Sequence, residues 1–243
     1  MFNRMNIPNS GQNVRAGYSP SAIDAEQRRF MVKVYNWMTA GLGITGLVAW
    51  IVASDEALLQ IIFGTPFLMI GLVIAQLGLV FWLASRVMQM SQMTAMTVFM
   101  GYAALTGLTL SSIFVIYTTS SIASAFLVTS GTFAAMSFYG YTTKKDLTSW
   151  GSFLFMGLIG IIIASLVNIW LQSPAIYWLT TYAGVLIFVG LTAYDTQKIK
   201  QMNIIGNEGT EEDTKEAILG ALTLYLDFIN LFLMLLRIMG DRR

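Results

Sequence analysis

The chain has no cysteine and no histidine, and only 11% of its 243 residues are charged. The first two absences exclude disulfides, thiol chemistry and metal sites built on thiolate or imidazole. Any metal would have to be a hard cation held by oxygen. The shortage of charge excludes a water-soluble fold, because a soluble domain averages about a quarter charged residues and this chain is 56% hydrophobic. Net charge is only +1, so nothing points to nucleic acid. Alternating segments of about ten residues, the mark of a membrane barrel, do not occur.

What is present is a series of apolar runs near 20 residues, the length that crosses a hydrocarbon core about 30 Å thick. The expected fold class is therefore all-α, a polytopic membrane protein with seven transmembrane helices. The spans fall at about Val34–Ala53, Phe67–Arg86, Thr94–Tyr117, Ile122–Tyr141, Gly151–Leu171, Ile176–Lys198 and Ala217–Met239. Two breaks are chemical: Thr118-Thr119-Ser120-Ser121 divides an uncharged run too long for one span, and Gln172-Ser173-Pro174 stops the fifth. Residues 1–30 read as a polar, disordered cytoplasmic tail without the apolar core of a signal peptide. Residues 31–240 read as the membrane domain and 241–243 as a short C-terminal tail. The acidic connection Gln201–Lys215 reads as a mobile, solvated loop.

Seven spans place the N-tail and loops 2–3, 4–5 and 6–7 on one face of the membrane. That face holds eleven of the 14 Lys and Arg residues, leaving Arg237, Arg242 and Arg243 on the other. The positive-inside rule then puts the N-terminus in the cytoplasm and the C-terminus outside. Trp50, Trp170 and Trp178 flank the outer ends, and Trp37, Trp82 and Trp150 the inner ones. The glycines and methionines within the spans read as packing residues.

Against this apolar background two aspartates stand out. Asp195 follows an uncharged stretch that begins at Leu147, and Asp227 is the only charge between Glu216 and Arg237. A carboxylate at mid-membrane depth costs about 2.5–3.5 kcal/mol on insertion scales, so it faces a cavity or a partner and marks a proton or ion pathway. On the seventh span Glu216, Gly220, Thr223, Asp227, Asn230, Met234 and Arg237 recur at steps of three and four, forming one stripe. Among that span's polar residues only Tyr225 lies off it. Thr192, Asp195 and Lys198 make a shorter stripe on the sixth. If the two carboxylates meet, they cannot both ionise cheaply and titrate as a unit. If they do not, each hydrogen-bonds separately to a hydroxyl or a snorkelling lysine.

The segments Gly190-Leu191-Thr192-Ala193-Tyr194-Asp195-Thr196-Gln197-Lys198-Ile199-Lys200 and Leu224-Tyr225-Leu226-Asp227-Phe228-Ile229-Asn230-Leu231-Phe232, with Lys144-Lys145-Asp146-Leu147 between spans four and five, resemble those of the Bax inhibitor motif family. The resemblance implies a central seventh helix surrounded by the other six, and residence in a bacterial inner membrane. It also implies a pH-sensitive calcium leak gated by a carboxylate pair, here Asp195 and Asp227. Thr223 and Asn230 are candidate supporting residues. Members of the family can hold the pair with an arginine on the second helix; the only candidate here is Arg86, which lies at that helix's cytoplasmic end and reads rather as an interfacial anchor.

Three functions compete. One is a proton-regulated cation leak needing no cofactor, with protons and calcium as its ions, the lipid bilayer as its surroundings, and a weak rather than dedicated calcium site at the pair. The second, intramembrane aspartyl proteolysis, needs Gly-x-Gly-Asp and a later Pro-Ala-Leu. The chain has Leu224-Tyr225-Leu226-Asp227 and no proline after Pro174, so no enzyme is expected. The third is a non-conducting regulator of other membrane proteins, in stress response or membrane-protein quality control.

Overall fold

A computed structural model describes residues 19–243. Among these residues, seven helices are long and apolar enough to cross a membrane. Helix α1 (Pro20–Ala53) is followed by a short α2 (Glu56–Gly64) capped by Asp55, whose carboxylate accepts from the amides of Ala57 and Leu58. The second span is α3 (Pro66–Arg86) with a closing 3-10 turn (Val87–Gln89), and the third is α4 (Gln92–Leu110) continued by α5 (Ser112–Ile116). Then come α6 (Thr119–Thr142), α7 (Thr148–Leu171), α8 (Pro174–Met202) and α9 (Glu211–Met239). The break between α7 and α8 uses Gln172 in the left-handed region (φ 48°), with Asn168 Oδ1 accepting the Ser173 amide at 2.8 Å and Pro174 opening the next helix.

The last span, α9, is the most buried of the seven. It packs on α8, α1, α6 and α4, while α7 lies outside against α8 and α3 lies outside against α4. The central helix is thus walled mainly by four spans, with two more in an outer layer. Helix α7 buries only Gly151 and turns Phe153, Met156 and Ile163 outward, a pattern that suits lipid and no aqueous solvent. At the centre Tyr225, fully buried, meets Phe99 and Tyr102 edge-on at 6.0 and 5.9 Å, and Phe228 meets Phe133 at 5.5 Å. Small residues let backbones approach, most closely at Gly140 of α6, where any Cβ would run into the Ala193 carbonyl of α8.

Two expectations need correction at the membrane face that carries the loops. The polar tail was expected through residue 30, yet α1 starts at Pro20, with the Ser19 hydroxyl capping Ala22 N. The remainder of that tail, residues 1–18, lies outside the described residues. The acidic connection was expected to be mobile from Gln201 to Lys215. Instead α8 runs to Met202, α9 begins at Glu211, and only residues 203–210 connect them. The two errors have one cause, since each segment holds the other. Glu26 accepts the Gly206 amide at 2.7 Å, and Gln27 donates to the Lys200 carbonyl at 3.3 Å. Lys33 reaches Asp213 at 3.0 Å and Thr214 at 2.7 Å, and Arg29 forks onto Glu208. Acid at 211–213 is also what a helix N-terminus favours. The expected C-terminal tail is likewise tied down: the Arg243 amide donates to the Ile116 carbonyl at 2.9 Å and the Thr118 amide to the Asp241 carbonyl at 3.1 Å.

Candidate functional site

Asp195 and Asp227 come from antiparallel neighbours. Asp195 stands seven residues before the end of α8 and Asp227 sixteen after the start of α9. At roughly 1.5 Å per residue their depths agree only if α9 begins roughly 13 Å beyond the end of α8. The connection 203–210 covers that step, with Asn203 and Ile205 buried on the way.

Both aspartates line one crevice of about 960 Å³ bounded by α7, α8 and α9. It extends along α7 from Gly151 to Ile169, about 27 Å of helix and most of the hydrocarbon thickness. Asp227 is only 5% exposed, and its Oδ2 has no hydrogen-bond partner among the described residues. A buried carboxyl oxygen without a partner carries a desolvation cost that a proton, a cation or water would relieve.

Beyond Glu216, which accepts from the Asn207 side-chain amide at 3.4 Å, the stripe on α9 divides into three parts. Thr223, Asp227, Asn230 and Met234 face the crevice. Gly220 turns away, towards Ile199 and Val34, and Arg237 stacks on the Tyr177 ring at 5.6 Å. The Thr223 hydroxyl donates to the Leu219 carbonyl at 3.1 Å and the Asn230 amide to the Leu226 carbonyl at 2.8 Å, so both side chains are held against their own helix. Thr223 keeps oxygen lone pairs for a further donor or a cation. The lining thus offers carboxylates, hydroxyls and one amide, an oxygen set suited to protons and hard cations.

Arg86 is not part of this site. It is exposed at the end of α3 and donates to Gln89 at 3.2 Å. The basic group in the crevice is Lys198, one turn from Asp195, with its ammonium 5.7 Å from the Tyr194 ring. The shorter stripe on the sixth span already held that lysine. Ser152 and Ser165 of α7 were not anticipated: single hydroxyls in an apolar helix give no pattern, and only the packing shows which of them face inward.

A family model described as "Inhibitor of apoptosis-promoting Bax1" matches residues 27–243. The chain is 58% identical over 215 residues to inner membrane protein YbhL of Escherichia coli (strain K12), covering 88% of this chain and 92% of that one. It is 48% identical over 222 residues to uncharacterized protein RP147 of Rickettsia prowazekii, covering 91% and 93%. It is 46% identical over 217 residues to an uncharacterized protein of Borreliella burgdorferi, covering 89% and 94%. This chain, matched along nearly all of its membrane domain, belongs to the Bax inhibitor motif family.

Proposed function

We propose that this protein is a pH-sensitive cation leak of a bacterial inner membrane, with calcium as its permeant ion and Asp195 and Asp227 as its gate. The observation that supports the reading is that two carboxyl-bearing residues from successive helices line one crevice, one of them buried with an unpartnered oxygen. With both ionised, the pair attracts a cation from the cytoplasmic face and also draws on Lys198 at the crevice end. Protonation removes one negative charge and loosens both interactions. Two carboxylates with a few neutral oxygens bind a divalent ion weakly enough to release it, as conduction requires. The role is transport rather than catalysis and needs no cofactor, since calcium is cargo.

The orientation belongs to the same proposal: N-terminus in the cytoplasm, C-terminus outside, supported by eleven basic residues against three. The test is reconstitution into liposomes loaded with a calcium indicator, followed over a pH series. Protein-dependent calcium entry that changes on mild acidification is the expected result. Absence of flux at every pH would overturn the leak and favour a non-conducting regulator.

A further inference from the structure

A second cavity, about 810 Å³, lies between α1 and α6, each of which packs on α9 and leaves a groove beside the other. Its wall is apolar, with Phe133 and Phe228 among the lining residues. It begins at Arg28 and Tyr141 and ends at Gly46 and Phe126. Along α1 that is about 27 Å and along α6 about 22 Å at 1.5 Å per residue. Half of a bilayer, headgroups included, is roughly 20–22 Å. The groove therefore covers one leaflet, the one on the side of the loops, and stops near mid-membrane.

Two features call for an occupant. Gly43 and Gly46 face the groove, yet a Cβ built on either meets no atom within 4 Å. A glycine inside a helix costs about 1 kcal/mol relative to alanine, and helix packing gives no reason for these two. The mouth is basic. Arg28 is exposed there and, among the described residues, is the only charged one in the lining. Lys200 donates to the Tyr141 carbonyl at 3.2 Å and lies over its ring at 4.4 Å. The Gln27–Lys200 hydrogen bond brings that lysine beside the same turn of α1.

We propose that the groove is a binding site for one anionic phospholipid, with an acyl chain against Gly43 and Gly46 and the phosphate held by Arg28 and Lys200. Tails in bulk lipid are as apolar as the groove, so selectivity comes from the headgroup charge. Each basic residue near the membrane surface is worth about five-fold in preference for an anionic lipid. Native mass spectrometry of the full chain, released from micelles holding equal phosphatidylglycerol and phosphatidylcholine, tests this. One retained phosphatidylglycerol per chain is expected. Gly43→Leu with Gly46→Leu fills the groove from positions with open space, and should abolish the adduct while thermal stability in lipid-free detergent is no lower than that of the wild type. Arg28→Ala should lower the phosphatidylglycerol preference about five-fold. Equal retention of both lipids, an adduct undiminished in the filled variant, or a lipid-free dimer would each overturn the proposal.

Discussion

Tyr225 should stabilise the bundle mainly by volume and only secondarily through its hydroxyl, and the two can be separated. The Thr45 hydroxyl donates to the Ala103 carbonyl at 2.8 Å, so it must accept from Tyr225 at 2.7 Å. That chain ties α9 to α1 and α4 in a region with no exposure for the tyrosine. Tyr225→Phe keeps the edge-on ring contacts and removes one hydrogen bond. Hydrogen bonds of this kind contribute about 0.5–1.5 kcal/mol in proteins and average about 0.6 between membrane helices. A cost near 1 kcal/mol is therefore expected. Tyr225→Ala also empties the core and should cost about 3–5 kcal/mol. A double-mutant cycle of Tyr225→Phe with Thr45→Val, read by reversible unfolding in mixed micelles, should return a coupling of about 0.6–1 kcal/mol. Additivity within about 0.3 kcal/mol, or a phenylalanine variant as damaged as the alanine one, would refute the assignment.

The other expectations concern loops and bystanders. Gln197 accepts from the Leu147 amide at 2.9 Å and donates to the Lys145 carbonyl at 2.8 Å, so Gln197→Leu should release the α6–α7 connection by about 1–3 kcal/mol. Faster tryptic cleavage at Lys144 and Lys145 would register that release. The hydrogen bond and charge of Arg29 hold the exposed Glu208 carboxyl below its ordinary range. Such a depressed group stabilises the fold above its unfolded pKa, about 4.3, and the contribution disappears as pH falls through the lower folded value. Glu208→Gln should reproduce the loss at neutral pH as no more than about a five-fold drop in exchange protection of residues 203–210, since exposed pairs contribute about 0–1 kcal/mol. Arg86→Ala should leave the pH dependence of flux unchanged, because Arg86 bonds Gln89 outside the crevice. A flattened pH response in that variant would return Arg86 to the gate.

The spans were legible because a bilayer imposes a length and forbids charge, and because Thr118–Ser121 and Gln172–Pro174 interrupt the runs with turn chemistry. The crevice-lining residues of α9, Thr223, Asp227, Asn230 and Met234, were legible from its stripe, but its core face was not: that is the apolar side, where Tyr225, the one polar residue off the stripe, points into the core beside Thr45. The start of α1 was not legible. Residues 20–30 look like a solvated tail until their partners at 203–214 are known, and those partners look like a solvated loop for the same reason. Periodicity placed Asp195 and Asp227 on polar stripes but could not set their relative depth, which depends on where α9 begins. Nor could it distinguish Lys198, inside the crevice, from Arg86, outside it. That distinction is made by packing between helices, which a single chain's pattern does not encode.

The central claim is that the aspartate pair confers pH dependence on calcium flux. Asp195→Asn and Asp227→Asn each keep the side-chain shape and remove a titratable group, so each should flatten the pH response measured in indicator-loaded liposomes while the protein still inserts and folds. Flux with the wild-type pH dependence in both variants would contradict the account and leave only the fold standing.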